Sequence, residues 1–364
     1  LQRRLSATDG AAVAARSDAF DEPLSPTNFN LKDASTQGSK NVPAAKIDSY
    51  GLYVEKSGFR LFELRYDAAQ GDYVSNDMSI LVPEIGSPGF VRLAVQRQPE
   101  TRAHVVRSDG RAAILCYLPA EDVKAWIDID TSGAVEDVFV LPGTEEDSVY
   151  YCVKRTINGQ DKRYLEKWAK ESACIGETLN RQADSFVVFT NSPASTTVSG
   201  LSHLVGRDVV VWQDGVCPED SSGNPKLFTV SSTGTITLDT AALTGIVGLQ
   251  YWSEFKSGKL PYAAGLGTAL GQRQRISKIA LMLVNAHARG LRYGGDFNDM
   301  SNLPLVVDGR AINTDEIHVG LELEAVTFPG ESSVGARLCL EGLAPRPVTV
   351  TAAIIGIATH DTAP

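Results

Sequence analysis

The acidic side chains are the most direct candidates for chemistry in this sequence. Asp128 and Asp130 lie two residues apart, so they would share one face of a strand, and Glu136 follows after a turn. Hydrolysis of a polysaccharide needs two carboxylates that face one cleft at about 5 to 10 Å. Because Thr131-Ser132-Gly133 is a turn, we favour acidic residues at an exposed strand end over a catalytic pair.

A second acidic group, Asp296-Phe297-Asn298-Asp299, resembles the opening of a calcium loop, since calcium prefers several oxygen ligands on a tight turn. Met300 occupies the third ligand position, and neither the glycine nor the closing glutamate of such a loop follows. We therefore expect a solvated loop and no metal site here.

The glycine-rich stretch Gly265-Leu266-Gly267-Thr268-Ala269-Leu270-Gly271 has its third glycine one position too late for a dinucleotide-binding fingerprint. It precedes a basic run of β-type residues and has no βαβ context. A flexible linker is the favoured interpretation, and we expect no cofactor.

Histidine and cysteine spacing gives no support for a metal or nucleophilic site. The five histidines, at 104, 203, 287, 318 and 360, have no i, i+4 spacing, and no Gly-x-Ser-x-Gly elbow is present. The five cysteines, at 116, 152, 174, 217 and 339, form no CxxC pair, so we expect buried reduced thiols. We predict no catalytic, cofactor-binding or metal-binding residues and expect that the chain is not an enzyme.

Basic residues are concentrated in one segment, where they could face phosphate or an acidic neighbour: Arg273, Arg275, Lys278, Arg289 and Arg292. The favoured interpretation is that they shield one face of a strand and keep a strand edge from pairing with its own kind. The whole chain has a formal net charge of −10. Such a charge repels phosphate and argues against a basic surface that grips nucleic acid.

The elements that would position these residues begin with a repeated β-hairpin. Its three copies are Val54-Glu55-Lys56-Ser57-Gly58, Val105-Val106-Arg107-Ser108-Asp109-Gly110 and Val153-Lys154-Arg155-Thr156-Ile157-Asn158-Gly159. Each copy is an apolar run, a basic residue and a turn ending in glycine, followed by a second run that closes on an aromatic residue. With the strands between them, these hairpins predict meanders of about four strands, the construction of a β-propeller blade.

We predict an all-β fold in four segments. They are an extended N-terminal arm over residues 1–46, a region of propeller-like blades over 47–190, a small β domain over 195–260, and a C-terminal β segment over 264–364 that completes the propeller-like core. Helix is expected at two places, from Leu5 to Phe20 around central alanines and from Leu165 to Cys174.

Composition sets the remaining limits. The chain has 364 residues, of which 43% are hydrophobic and 21% charged, so it can bury a real core and should hold two to three domains. No apolar run approaches the roughly 20 residues needed to span a bilayer, and the first thirty residues lack the pattern of a signal peptide. The chain begins at Leu1 and not at methionine, so we expect a processed product or part of a longer protein.

The order of several segments resembles the tail nozzle or tail tubular proteins of short-tailed bacteriophages. The segments in the blade region are Val91 to Trp126, Ser132 to Glu136, Val153 to Gly159 and Arg163 to Glu166; those in the following regions are Gly206 to Val211, Val230 to Leu238, Gln272 to Ile279 and Gly290 to Gly295. This likeness covers most of residues 47 to 300. Family members carry more blades, and three blades are fewer than a propeller usually has. Either the last hundred residues complete the ring of blades or further blades precede Leu1.

The resemblance implies a virion structural protein located in the tail. Such a protein would form a homohexameric ring that contacts a tail adaptor ring and other tail proteins and carries a channel for passing viral DNA. A conduit must pass phosphate without holding it, which suits an acidic chain.

Two alternative hypotheses stay open. A carbohydrate-binding receptor-recognition tail protein could present Trp212 and Trp252 as aromatic platforms, although both would fit a core equally well. A polysaccharide hydrolase of a tail spike would need the carboxylate pair of Asp128 or Asp130 with Glu136.

Overall fold

The computed structural model of the protein describes residues 3–17, 22–47, 49–260, 271, 273–307 and 309–359. These residues form antiparallel sheets joined by turns, which confirms the predicted all-β fold. Four short 3₁₀ helices occur in this part of the chain, at Pro83–Gly86, Pro119–Glu121, Glu171–Ala173 and Ser202–Leu204. No helix within it is both long and apolar enough to cross a membrane.

The chain divides into two compact units, Leu1–Trp168 and Ala169–Pro364. The first unit begins with a three-stranded sheet of β1 (Arg3–Ala7), β2 (Ala12–Ser17) and β3 (Phe29–Ser35). Three further sheets, which we call the first, second and third blades, follow in chain order. The first blade contains β4 (Ala45–Ile47), β5 (Tyr50–Val54), β6 (Leu61–Asp67) and β7 (Asp72–Asp77). The second blade contains β8 (Phe90–Gln96), β9 (Arg102–Arg107), β10 (Ala112–Leu118) and β11 (Val123–Ile129). The third blade contains β12 (Ala134–Leu141), β13 (Ser148–Ile157) and β14 (Gln160–Lys167).

Each blade is a meander, because every strand pairs with the next strand in the chain. The predicted hairpin turns join β5 to β6, β9 to β10 and β13 to β14. Gly58, Gly110 and Gly159 all have positive φ in these turns, a conformation that glycine adopts without steric cost. The repeated hairpin and the meander construction are therefore confirmed.

The second blade is covered on both faces. Because side chains alternate across a strand, Val105 packs into a core shared with the first blade and Val106 into a core shared with the third. On β10, Leu115 faces the first of these cores and Ala112 faces the second. The blades thus stack face to face in the order in which the chain forms them.

The second unit contains a four-stranded sheet with its own hydrophobic core, made by β15 (Asp184–Val198), β16 (Asp208–Gln213), β17 (Phe228–Thr229) and β18 (Ile236–Leu249). The sequence predicts the small β domain over residues 195–260, whereas this sheet runs from Asp184 to Leu249. Two further sheets and a short hairpin contain the remaining strands, which are β19 (Trp252–Lys256), β20 (Gln274–His287), β21 (Leu291–Asp296), β22 (Asp299–Asn302), β23 (Val306–Val307), β24 (Arg310–Ala311), β25 (Ile317–Thr327), β26 (Cys339–Leu343) and β27 (Thr349–Thr359). Their orders are β19-β26-β21-β22, β25-β20-β27 and β23-β24.

The two expected helices are wrong. Within Leu5 to Phe20 the described residues form the β1–β2 hairpin, in which Ala12 and Ala14 are buried in a small core with Tyr53 and Phe62. Alanine favours a helix when it is isolated, but packing against aromatic side chains overrides that preference. Within Leu165 to Cys174, β14 continues to Lys167 because Leu165 pairs with Cys152, and only the 3₁₀ helix Glu171–Ala173 follows.

The unit boundary also differs from the predicted segments. The blades end at Trp168, and residues 169–190 belong to the second unit. Residues 195–260 and 264–364 share that unit, since β19 pairs with β26 along its whole length. The C-terminal segment therefore shares a unit with residues 195–260, and its completion of the propeller-like core stays a prediction.

Candidate functional site

A cleft of about 570 Å³ lies in the second unit, within the described part of the chain. It lies where the turn before β17 faces the start of β19 and the strand β21. Its apolar wall includes Trp252, with 54% of its surface exposed, and Leu227, with 51% exposed. Pockets of 300 to 1,000 Å³ with a few convergent polar groups are typical of small-ligand sites.

The turn that carries Asp220 and Asn224 supplies acidic and amide groups to the cleft. One carboxylate oxygen of Asp220 accepts the backbone N–H groups of Ser222 and Asn224, at 2.9 and 2.8 Å. These hydrogen bonds lower the pKa of Asp220, so the carboxylate is ionised at neutral pH. Its second oxygen is 3.5 Å from Nδ2 of Asn224, which is longer than a good hydrogen bond.

The strands supply the remaining polar wall. Gln250 precedes Trp252 by two residues, and its Nε2 donates to the carbonyl of Ala344 at 3.3 Å. Arg292 on β21 forms an ion pair with Glu341 on β26, and the register of these strands places the two residues opposite each other. Pairing with β26 therefore fixes the positions of both β19 and β21 around the cleft.

Sequence reasoning singled out Trp252 and, within the basic concentration, Arg292, but it missed Asp220, Asn224 and Gln250. The residues Asp-Ser-Ser-Gly-Asn at 220–224 are typical of a turn, but no feature of the neighbouring sequence predicts that this turn lies beside β19 or β21. Trp212, the other predicted platform, is fully buried and donates its indole N–H to the carbonyl of Glu177 at 2.9 Å. It is a core residue.

Asp128 and Glu136, the carboxylates that a hydrolase would need, contact different arginines. Asp128 lies 3.2 Å from Nη1 of Arg107 and 3.0 Å from Nη2 of Arg111, while Glu136 accepts two hydrogen bonds from Arg163. The Arg163 guanidinium lowers the pKa of Glu136. A general acid in a glycosidase needs a raised pKa, so this environment opposes that role for Glu136. Asp130 is exposed and lies 3.6 Å from Arg111.

Asp296 and Asp299 close the β21–β22 hairpin. Asp296 accepts hydrogen bonds from the backbone and the side chain of Asn298, and these bonds lower its pKa. The described residues include no group of three or more potential metal ligands. Of the glycine-rich stretch, residues 265–270 lie outside the described residues.

Two of the histidines are buried and neutral. Burial, together with nearby arginine charge, lowers the pKa of His104 and that of His287 to about 3. His203 and His318 contact backbone carbonyls, of Ser185 and Asn313. His360 lies outside the described residues. All five cysteines are free thiols, and Cys217 and Cys339 are the buried ones.

The basic concentration separates into two groups. Arg289 and Arg292 form ion pairs with Glu219 and Glu341. Arg273, Arg275 and Lys278 are exposed at the start of β20. From Lys278 onwards that strand pairs with both β25 and β27, whereas Arg275 pairs with β27 and precedes the ladder with β25. The expectation that these residues shield a strand stays a prediction.

No family model and no curated protein matches this chain. Solved structures that align with this chain at low similarity include an exo-β-1,3-galactanase of Phanerochaete chrysosporium with β-1,3-galactotriose, at 10% identity and a TM-score of 0.25, covering 95% of this chain and 75% of that one. GH43B of the Bacteroides ovatus xyloglucan PUL is 9% identical with a TM-score of 0.24, covering 98% and 89%. The Trypanosoma rangeli sialidase is 10% identical with a TM-score of 0.22, covering 98% and 90%.

The expectation that the chain is not an enzyme no longer stands, since the solved structures found in this comparison are glycoside hydrolases. The same comparison assigns no activity to the chain, since the identities are about 10% and the TM-scores do not exceed 0.25.

Proposed function

We propose that this chain is a virion structural protein of a short bacteriophage tail, a subunit of the nozzle ring through which the genome leaves. The observation that carries the proposal is the ordered stack of blades in the first unit. The segments that resemble the nozzle family, Val105 to Gly110 and Val153 to Gly159, occupy equivalent hairpins in the second and third blades. A stack of this kind suits a rigid scaffold that fixes neighbouring subunits in place.

Charge supports the same proposal. A ring that conducts DNA must not retain it, and a chain with a net charge of −10 repels phosphate over a screening length of about 8 to 10 Å. We propose a homohexamer that contacts a tail adaptor ring and other tail proteins and through which viral DNA passes transiently. Its location would be the virion tail.

The decisive experiment is electron microscopy of the full purified chain, combined with mass photometry over a range of concentrations. The proposal expects rings with a central channel and a particle mass of six times the 39.0 kDa chain. A chain that stays monomeric, and that does not bind a purified tail adaptor ring of a short-tailed phage, would overturn it.

The same preparation should be tested on galactan, xyloglucan and sialoside substrates. Release of reducing sugar at a rate proportional to the protein concentration would assign a hydrolase function and replace the structural proposal. The Asp128→Asn and Glu136→Gln variants would then show whether the carboxylates first considered for hydrolysis are involved.

A further inference from the structure

The two tryptophans of the second unit differ in their exposure to solvent. Trp212 is completely buried there, whereas Trp252 leaves 54% of its surface in solvent at the first position of β19. A single exposed apolar side chain needs no explanation. Trp252, however, lines a cleft together with exposed Leu227, so more than half of its surface is accessible at a concave site.

The polar groups around this wall include both hydrogen-bond acceptors and donors. The ionised Asp220 is an acceptor, and the amides of Asn224 and Gln250 each combine acceptor and donor atoms. Arg292 adds N–H donors and is held in position by its ion pair with Glu341. Lys226 is occupied, since its ammonium contacts both carboxylate oxygens of Asp239.

This combination matches a sugar better than other small ligands. A pyranose ring has an apolar face of C–H groups that can lie on an indole, and a rim of hydroxyls that both donate and accept. A purely apolar ligand would use the indole and Leu227 but would make no hydrogen bond with Asp220 or with the amides of Asn224 and Gln250. A nucleic acid could stack a base on Trp252, but its phosphates would meet Asp220 and the negative charge of the chain.

We propose that the Trp252 cleft is a glycan-binding site in which a pyranose ring stacks on the indole while Asp220, Asn224 and Gln250 bind its hydroxyls. A cleft of about 570 Å³ takes a short oligosaccharide segment. Asp220 is the carboxylate among the described residues that line the cleft, and its lowered pKa suits an acceptor. The site rests on the second unit alone and does not depend on the proposed tail function.

The test begins with a printed array of neutral and acidic oligosaccharides, followed by titration calorimetry with those that bind. Trp252→Ala should weaken binding by about tenfold or more, since it removes the stacking surface, and Trp252→Phe should restore part of the affinity. Asp220→Asn should also weaken the binding of ligands whose hydroxyls donate to the carboxylate.

Phe255→Ala is the matched control. Phe255 lies on the same strand, has the same 54% exposure and is outside the cleft, so its removal should leave binding unchanged. Circular dichroism of each variant would confirm that it folds.

Three results would overturn the proposal: no oligosaccharide on the array binds, binding is unaffected by Trp252→Ala, or Phe255→Ala reduces binding as much as Trp252→Ala. An oligothymidylate that binds the same cleft in place of every sugar would assign a nucleic-acid site instead. Ring formation is measured separately, so failure of the glycan site is distinguishable from failure of the nozzle proposal.

Discussion

Replacing Glu166 by glutamine should loosen the third blade, whereas replacing Glu136 by glutamine should have no detectable effect. Both glutamates form two-point hydrogen bonds with an arginine of the same sheet. Glu166 accepts from Nε and Nη2 of Arg155, each at 2.7 Å, and Glu136 accepts from Nε and Nη2 of Arg163, at 2.6 and 3.1 Å. The two pairs therefore have the same chemistry and differ in their surroundings.

The difference in burial sets the size of the effect. The Arg155 side chain is only 3% exposed and that of Glu166 is 21% exposed, while the Arg163 side chain is 66% exposed. Removing one partner of a buried ion pair costs about 3 to 5 kcal/mol because a buried charge loses its compensation. Since Glu166 retains some contact with water, we expect Glu166→Gln to lower the free energy of opening of the third blade by about 2 to 3 kcal/mol. Water already screens the exposed pair, so its loss should be hidden by experimental error.

Hydrogen exchange followed by mass spectrometry can measure this in the full chain. Peptides that cover β13 and β14 should exchange roughly 30- to 150-fold faster in Glu166→Gln, because each 1.36 kcal/mol changes the opening equilibrium about tenfold. The same peptides in Glu136→Gln should exchange as in the unmodified chain. Equal acceleration in both variants, or none in Glu166→Gln, would refute the reasoning that burial of the guanidinium decides the effect.

The other predictions concern buried groups. His104 has a pKa of about 3 in the folded chain and about 6.5 in the unfolded chain, so the free energy of unfolding is unaffected by its protonation above pH 6.5 and decreases as the pH falls below that value. At pH 5 the first unit should therefore be about 2 kcal/mol less stable than at pH 7.5. Hydrogen exchange of the β9 peptide would measure this difference, which should disappear in His104→Gln. Trp212→Ala should lower the free energy of unfolding of the second unit by about 3 to 5 kcal/mol, whereas Trp252→Ala should leave the urea midpoint unchanged. Tyr117→Phe should cost about 1 to 3 kcal/mol, measured by urea denaturation, because the buried Glu63 carboxylate loses the hydroxyl that donates to it.

The features that could be predicted from the sequence are local ones. Asn158-Gly159 joins β13 to β14 in a two-residue turn, and both residues have positive φ, as this dipeptide favours. The consecutive Val105 and Val106 of β9 point to opposite faces because side chains alternate along a strand, although the sequence does not say that both faces are covered. Turns and alternation thus locate the blades without any knowledge of tertiary contacts.

The cleft could not be predicted because its walls come from distant parts of the chain. Asp220 lies in a turn before β17, Trp252 begins β19, and Arg292 lies on β21. They approach one another because β26, a strand near the C-terminus, pairs with both β19 and β21. The same limitation explains the wrong helix at Leu5 to Phe20, where a contact with Tyr53 and Phe62 decides the conformation of the alanines.

The basic residue of the repeated hairpin shows how the repeat works at the level of atoms. Nε and Nη2 of Arg107 bond the two carboxylate oxygens of Asp109, at 3.3 and 2.8 Å, and Arg155 bonds Glu166 with the same two nitrogens. In each arginine, Nη1 donates to a backbone carbonyl in the connection that enters its own blade: Ile85 before β8 at 3.5 Å, and Ser132 before β12 at 3.2 Å.

Each buried guanidinium therefore ties a hairpin to the chain segment that precedes its blade, with a carboxylate balancing the charge. The first copy has Lys56 at this position, and its ammonium pairs with Asp9 on the surface. The ammonium of lysine is a compact charge on a flexible chain, and it cannot bond a carboxylate through two nitrogens and a backbone carbonyl through a third, as arginine does. The first hairpin is therefore linked to the β1–β2 turn instead. The motif thus has two forms, a buried link within the second and third blades and an exposed link at the N-terminal end of the stack.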